Sequence, residues 1–97
     1  MTNTNSDDNV IFIGSKPFMN YVNGIVMQFN SKNMDEVVVS SRGKFISKAV
    51  DVSEVVRKKF LKELNLKIKE VKIDSQEFET KEGKKVTVST MDLVLAK

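Results

Sequence analysis

Two short segments of this sequence combine a glycine with basic side chains where phosphate chemistry is expected. They are Gly14-Ser15-Lys16 and Arg42-Gly43-Lys44, and Lys48 follows four residues after the second. Each segment leads into a predicted helix, and the free backbone N–H groups at a helix start favour an anion. The two segments therefore predict a phosphate-binding edge. The alternative is that these are ordinary polar loops with exposed lysines.

The residue types disfavour catalysis. The chain has no histidine and no cysteine, so it lacks the commonest general base, any thiol nucleophile and cysteine-ligated metals. Neither loop matches the Gly-x-x-x-x-Gly-Lys-Ser/Thr or Gly-x-Gly-x-x-Gly nucleotide motifs. The carboxylates are scattered without a recognisable pair. The sequence therefore predicts a protein that is not an enzyme and that needs no metal or cofactor.

The charge balance points to a polyanion partner. The 97 residues carry 16 Lys and Arg against 13 Asp and Glu. Residues 1–8 are polar, contain Asp7 and Asp8, and are predicted to form a disordered tail before a single domain over residues 9–97. A small basic domain favours nucleic acid, although a lysine-rich surface also keeps a protein soluble. No targeting or membrane-spanning stretch is visible, which predicts a cytoplasmic protein.

A third basic cluster lies near the C-terminus. Lys81, Lys84 and Lys85 surround Gly83, which suits a left-handed turn position. Alternating segments on both sides of this cluster predict a β-hairpin. The hairpin is either a basic arm that lies along a groove of nucleic acid or an ordinary turn on a soluble protein.

The remaining pattern predicts the elements that position these residues. Apolar residues 10–13 predict a strand buried on both faces, and residues 36–40 predict a second buried strand. Helical periodicity covers residues 17–30 and residues 44–62. The capping-box spacing of residues 51–54 leaves open whether the regular part of the second helix begins late.

Two alternating segments, residues 66–73 and 86–95, predict paired strands. A phase slip at Lys69-Glu70 indicates a bulge, and a second slip is predicted near Ser89-Thr90. The order β-α-β-α-β-β predicts an α/β (α+β) two-layer sandwich, with two helices on a four-stranded mixed sheet and a long C-terminal hairpin. A right-handed crossover makes the first two strands parallel neighbours, so both basic loops are expected at one end of the sheet.

Two aromatic residues and one basic run have open roles. Tyr21 falls off the apolar face of the first helix, so it either reaches nucleic acid or is a half-buried ring. Phe60 either belongs to the core or marks a contact between proteins. The basic run at residues 57–59 is predicted to point in three directions from a helix and not to form one patch.

Longer motifs run through these elements: Ile13-Gly14-x-Lys16-Pro17-x-Met19-Asn20-Tyr21-Val22, Arg42-Gly43-Lys44-x-Ile46-Ser47-Lys48-Ala49-Val50-Asp51, Glu54-x-Val56-Arg57-x-x-Phe60-Leu61 and Val88-Ser89-Thr90-Met91. In this order and spacing they resemble the Alba family of archaeal chromatin proteins. The resemblance extends from about residue 10 to the C-terminus.

The resemblance implies a β-α-β-α-β-β fold and a homodimer that coats and condenses double-stranded DNA in the nucleoid with little sequence preference. It implies RNA binding as well, since many members of the family bind RNA. Phe60 corresponds to the aromatic through which dimers touch along DNA. The nucleic-acid-binding residues that it implies are Lys16, Asn20, Arg42, Lys44, Lys48, Lys81, Lys84 and Lys85.

The family is also linked to reversible lysine acetylation in the first loop, which implies a lysine acetylase and a deacetylase as partners. Many members carry two adjacent lysines before the proline, whereas here Ser15 replaces the first. Lys16 is therefore the one candidate for acetylation in that loop. Two alternatives stay open: a primary role in RNA metabolism, and a non-enzymatic interaction module whose function is the dimer itself.

Overall fold

The computed structural model describes residues 9–97, and the predicted tail over residues 1–8 lies outside the described residues. The order of elements confirms the predicted β-α-β-α-β-β pattern. The elements are β1 (Val10–Phe12), α1 (Phe18–Asn30), β2 (Glu36–Arg42), α2 (Ile46–Val55), β3 (Lys67–Glu79) and β4 (Lys85–Ala96). Short 3-10 turns lie at Gly43–Phe45 and Lys62–Leu64, and a π-helical turn follows α2 at Val56–Phe60.

The four strands form one mixed sheet in the order β1-β2-β4-β3. β1 and β2 are parallel, as predicted, and the other neighbours are antiparallel. Both helices pack on one face of this sheet, which confirms the two-layer α+β sandwich. Burial of each large aliphatic or aromatic side chain in this layer contributes about 1.5–3 kcal/mol. The largest fully buried apolar side chains of the core are Val22, Ile25, Phe29, Val37, Val39, Val52, Val56, Leu61 and Leu95.

Helix α1 follows the predicted apolar stripe. Pro17 precedes its first residue, where the missing N–H of proline leaves no donor unsatisfied. Val22, Ile25 and Phe29 lie on the buried face. Within residues 9–97, no helix has the length and apolar character needed to cross a bilayer.

Strand β1 is an edge strand, and the prediction that it is buried on both faces was wrong. Ile11 packs on α1, where its Cδ1 lies 3.6 Å from the Cβ position of Gly24. Phe12 points to the other face of the sheet, and 73% of its surface is exposed. Because helices cover only one face, alternate residues of the strand meet solvent. β2 also extends two residues beyond the predicted Ser40, to Arg42.

The second helix begins early and ends with a widened turn. α2 starts at Ile46, so the hypothesis of a late start at the capping-box spacing was wrong; Ser53 of that spacing is fully buried inside the helix. The N–H of Leu61 donates to the carbonyl of Val56, five residues earlier, at 2.8 Å. This π-type turn rotates Leu61 into the core, so the helix stops before the predicted Lys62.

Strands β3 and β4 form the predicted hairpin, and its first irregularity is confirmed. The register shifts between Ile68 and Glu70, which makes Lys69 the extra residue of a bulge. The Lys69 ammonium forms an ion pair with Glu36 of β2. The hydrogen bond to this carboxylate, together with its charge, raises the pKa of Lys69 above its usual value.

The second predicted slip, near Ser89-Thr90, was wrong. β4 pairs with β3 in continuous register from Val94 to Lys85. Val86 and Val88 lie on the open face of the sheet, whereas Met91 and the alternate residues after it face the helices. The apolar side of the strand changes face near Met91, because the helices cover β4 from that residue onward. The pattern in the sequence records this change of cover and not a backbone irregularity.

Candidate nucleic-acid interface

The two basic loops lie side by side at one end of the sheet. The first loop (residues 13–17) follows β1 and the second loop (residues 43–45) follows β2, and these strands are parallel neighbours. Lys48 on the first turn of α2 joins them, because its ammonium donates to the carbonyls of Gly14 and Lys16 at 2.7 Å each. The structure therefore brings the two loops into one continuous edge, as the strand order predicted.

Lys48 has a structural contact that the sequence did not reveal. Its side chain is half-buried, and its ammonium lies 5.0 Å from the centre of the Tyr21 ring. An ammonium has three donors, and two of them are used on the first loop. This places Lys48 behind the loop as a residue that positions it, with one donor left for any other partner.

Tyr21 anchors the same loop through its hydroxyl. It is only 8% exposed, and its hydroxyl accepts hydrogen bonds from the N–H groups of Gly14 and Lys16 at 3.0 Å each. The interpretation in which Tyr21 reaches nucleic acid was therefore wrong. We call Tyr21 and Lys48 the loop clamp. The clamp therefore occupies the backbone N–H groups of Gly14 and Lys16, which the sequence had offered as donors to an anion.

The predicted ligands of both loops are exposed. Lys16 lies on the surface of the first loop, and Asn20 lies on the first turn of α1. Arg42 and Lys44 flank Gly43, whose φ of +56° is a left-handed conformation that glycine adopts without strain. A Cβ atom at this glycine would lie 3.6 Å from Val88, so the second loop rests on β4.

The hairpin arm extends from the same end of the sheet. Arg42 at the end of β2 lies opposite Thr90 of β4, and β4 continues past it back to Lys85. Five residues of strand correspond to about 17 Å. The turn is closed by the N–H of Thr80, which donates to the carbonyl of Lys84 at 2.8 Å, and Gly83 has the expected left-handed φ of +82°. Lys81, Lys84 and Lys85 are exposed at this tip.

We define the cationic rim as Lys16, Arg42, Lys44, Lys81, Lys84 and Lys85. Ion pairs among residues 9–97 join Arg57 to Glu54, Lys69 to Glu36 and Lys72 to Glu70, and none of them includes a rim residue. Glu79 and Glu82 are interleaved in sequence with the lysines of the tip, but neither belongs to these ion pairs. The rim therefore keeps its donors free for an external anion.

Two members of the basic run after α2 line a groove. Arg57 and Lys58 line one groove together with Lys62, Asn65 and Leu66. Arg57 donates to Glu54 at 3.2 Å and to the carbonyl of Leu66 at 3.4 Å. Lys59 does not line this groove, so the three cations of the run do not share it.

Apolar side chains near the end of α2 and on β3 are exposed outside the core. Phe60, at the end of the π-helical turn, is 46% exposed. Ile68, Val71 and Ile73 of β3 are exposed on the helix-facing side of the hairpin, and Ile73 is 79% exposed. Their alternation in the sequence predicted a strand, but no local signal showed that the helices end before they cover it.

The chain matches known proteins over nearly its whole length. The Alba family model matches residues 9–75. "DNA/RNA-binding protein Alba" of Methanococcus maripaludis is 46% identical over 93% of this chain and 99% of its own length. "DNA/RNA-binding protein Alba 1" of Archaeoglobus fulgidus is 42% identical, with 93% and 97% covered.

The solved structure of Alba from Thermoplasma volcanium superposes with a TM-score of 0.82 at 40% identity. The match covers 92% of this chain and 100% of that one. Sequence and structure agree with the resemblance seen in the motifs. The chain belongs to the Alba family.

Proposed function

We propose that this protein is a non-enzymatic, sequence-tolerant nucleic-acid-binding protein of the nucleoid, which coats and compacts double-stranded DNA as a homodimer and also binds RNA. The observation that carries the proposal is the cationic rim, whose exposed side chains all lie at one end of the sheet without ion-pair partners among residues 9–97. The relatives named as DNA/RNA-binding proteins support it.

The rim would bind through phosphate neutralisation. Lys16, Asn20, Arg42 and Lys44 of the body would lie over the phosphates of a duplex, and the arm would follow the adjoining minor groove. Contacts of this kind position a protein on DNA without specifying the sequence. Each neutralised phosphate releases condensed counterions, which drives binding. The loop clamp would contribute by holding Lys16 in place before the ligand arrives.

A second copy of the chain would complete the interface. The exposed apolar residues Ile68, Val71 and Ile73 form a surface that a monomer leaves in water, and exposed patches of this kind mark association sites. A chain of this length also buries only a modest core by itself. A dimer through this surface would present two rims and two arms to one ligand.

One titration separates this proposal from its alternatives. Purified protein is titrated with matched DNA and RNA duplexes at two salt concentrations. Salt-sensitive binding of duplex DNA supports the proposal, and a strong preference for RNA would assign the protein to RNA metabolism. Failure to bind either duplex at low salt would leave only the interaction module.

We expect Lys16→Gln to weaken binding of all duplex sequences alike. The change removes one charge per subunit, and it also imitates the acetylated lysine that we propose as a regulatory state. Two lost phosphate contacts per dimer lower the slope of log affinity against log salt by about 2. The measurement is fluorescence anisotropy on several unrelated duplexes. Lys16→Arg is the matched control and should bind like the wild type, whereas loss of a single sequence would show that Lys16 reads bases.

We expect Phe60→Ala to reduce cooperativity along long DNA while leaving the affinity for a short duplex within about twofold. The half-exposed ring lies outside the rim, and we propose that it contacts the neighbouring dimer. The measurement compares binding isotherms on short and long duplexes, with sedimentation to verify that the variant remains a dimer. Unchanged cooperativity would remove this role from Phe60.

A further inference from the structure

The base of the hairpin arm is tied to the rest of the sheet by an ion pair that crosses a strand. Glu36 lies at the start of β2, and Lys69 is the extra residue of the bulge in β3. β4 lies between them, because Ala96 lies opposite Glu36 on one side and opposite Lys67 on the other. The Lys69 side chain therefore reaches across β4 to Glu36, and the small side chain of Ala96 leaves room for it.

The other ion pairs of residues 9–97 join groups within one segment. Lys72 pairs with Glu70 on the same strand, and the third pair lies at the end of α2. β3 is an edge strand that is exposed along its whole length, and it pairs with β4 alone. The pair of Glu36 and Lys69 is therefore the ion pair within this range that links the hairpin to β2.

The direction of the arm is set at its base, since its outer part has no third strand. β2 ends at Arg42, so residues 75–79 and 85–89 pair only with each other. A β-bulge bends the strand that carries it. From Lys69 to Glu79 the strand extends about 33 Å. A rotation of about 10° at the bulge moves the tip by about 6 Å, which is about the width of a minor groove.

Both ends of the ion pair are held. The hydrogen bond to Glu36, together with the charge of that carboxylate, raises the pKa of Lys69, so its ammonium stays charged across the neutral range. The side-chain amide of Asn9 donates to the backbone carbonyl of Glu36 at 3.1 Å, which fixes the start of β2. Lys69 is therefore bound to a fixed point of the body and is not a free surface cation.

We propose that the ion pair of Glu36 and Lys69 is a brace that fixes the bulge and thereby the direction of the hairpin arm. Both are positioning residues, because neither belongs to the cationic rim and the brace acts through the arm that carries Lys81, Lys84 and Lys85. An exposed ion pair contributes little to stability, so the role of the brace is orientation. Its effect on binding rests on the proposed function, whereas the direction of the arm is measurable without a ligand.

Spin labels measure the direction of the arm directly. The chain has no cysteine, so Glu82→Cys at the tip and Asn23→Cys on the exposed side of α1 give one pair of labels per chain. Labelled chains are diluted with unlabelled ones, and pulsed electron resonance gives the distribution of distances. We expect Lys69→Met to shift or broaden it by several ångströms. Lys72→Met is the matched control and should keep the wild-type distribution, because its partner Glu70 lies on the same strand.

Two opposite changes of charge separate a brace from a general electrostatic effect. Glu36→Gln removes a negative charge and Lys69→Gln a positive one, so an effect of charge alone makes the first variant bind duplex DNA more tightly and the second more weakly. We expect the brace to make both bind roughly two- to fivefold more weakly in anisotropy titrations, with unchanged melting temperatures. The exchange of Glu36→Lys with Lys69→Glu should restore the affinity. Glu63→Gln removes an exposed charge outside the ion pairs and should not weaken binding.

The outcomes distinguish this proposal from the proposed function. If Lys69→Met and Glu36→Gln keep the wild-type distance distribution, the brace is wrong and the proposed function stands. Opposite effects of Glu36→Gln and Lys69→Gln on affinity would also contradict the brace, since the two charges would then act independently. If the wild type binds no duplex, the proposed function fails, and the distances still decide whether the ion pair directs the arm.

Discussion

Raising the salt concentration from 50 to 200 mM is expected to weaken the binding of duplex DNA by a dimer roughly a thousandfold. In the proposed function the rim would bind phosphates with cations that have no internal ion-pair partner among residues 9–97. A dimer that displaces about six counterions gives a slope near −5 in a plot of log affinity against log salt concentration. An effect of this size requires that the contacts be made with the backbone of the duplex.

Anisotropy titrations at several salt concentrations give this slope directly. Arg42→Gln should lower it by about 2 per dimer, since one phosphate contact is lost from each subunit. Lys32→Gln is the charge-matched control. Lys32 is exposed but follows α1 and precedes β2, at the end of the sheet opposite the rim. A flat salt response, or equal effects of the two variants, would contradict phosphate binding by the rim.

The order of elements was predictable because it depends on local signals. Periodicity identified both helices, alternation identified the hairpin strands, and the slip at Lys69 indicated the bulge. The errors in the strands were about which face of the sheet is covered. The exposure of Phe12 and the change of apolar side in β4 depend on where the helices end in space. No pattern within a strand contains that information.

In the candidate site, too, local signals were predictable from the sequence and long-range contacts were not. Residue types and motifs were enough to single out Lys16, Arg42 and Lys44, and parallel strand pairing explains why their loops meet. The loop clamp was not predictable, because Lys48 and Gly14 are 34 residues apart and a lysine in a basic motif suggests a phosphate ligand. Tyr21 gave one faint signal, its place off the apolar face of α1. In the structure this position lets the Tyr21 hydroxyl bind the backbone of the first loop.

The clamp also bears on binding strength. A flexible loop loses conformational freedom when it binds, and this loss subtracts from affinity. Here four hydrogen bonds from two side chains hold Gly14 and Lys16 before any ligand is present. Lys16 therefore starts from a fixed backbone, and only its side chain has to be ordered by a phosphate. Stability and affinity should be linked through the clamp without any change in charge.

Tyr21→Phe tests this link, because it removes the hydroxyl and no charge. The N–H groups of Gly14 and Lys16 lose their acceptor, and two lost hydrogen bonds lower the free energy of unfolding by about 1–3 kcal/mol. For a domain of this size the melting temperature should fall by roughly 5–20 °C. We expect duplex affinity to fall severalfold at every salt concentration while the salt slope keeps its wild-type value. A changed slope would show that the substitution alters the phosphate contacts themselves.

Lys48→Met separates positioning from direct binding, with Lys44→Met as the matched control. If Lys48 is a clamp residue, its replacement should lower the melting temperature and leave the salt slope nearly unchanged, because its ammonium already donates to two carbonyls. Replacement of the exposed Lys44 should have the opposite effect, with a salt slope lower by about 2 per dimer and an unchanged melting temperature. If Lys48→Met instead reproduced the Lys44→Met result, Lys48 would be a phosphate ligand. The bonds to the first loop would then break when DNA binds.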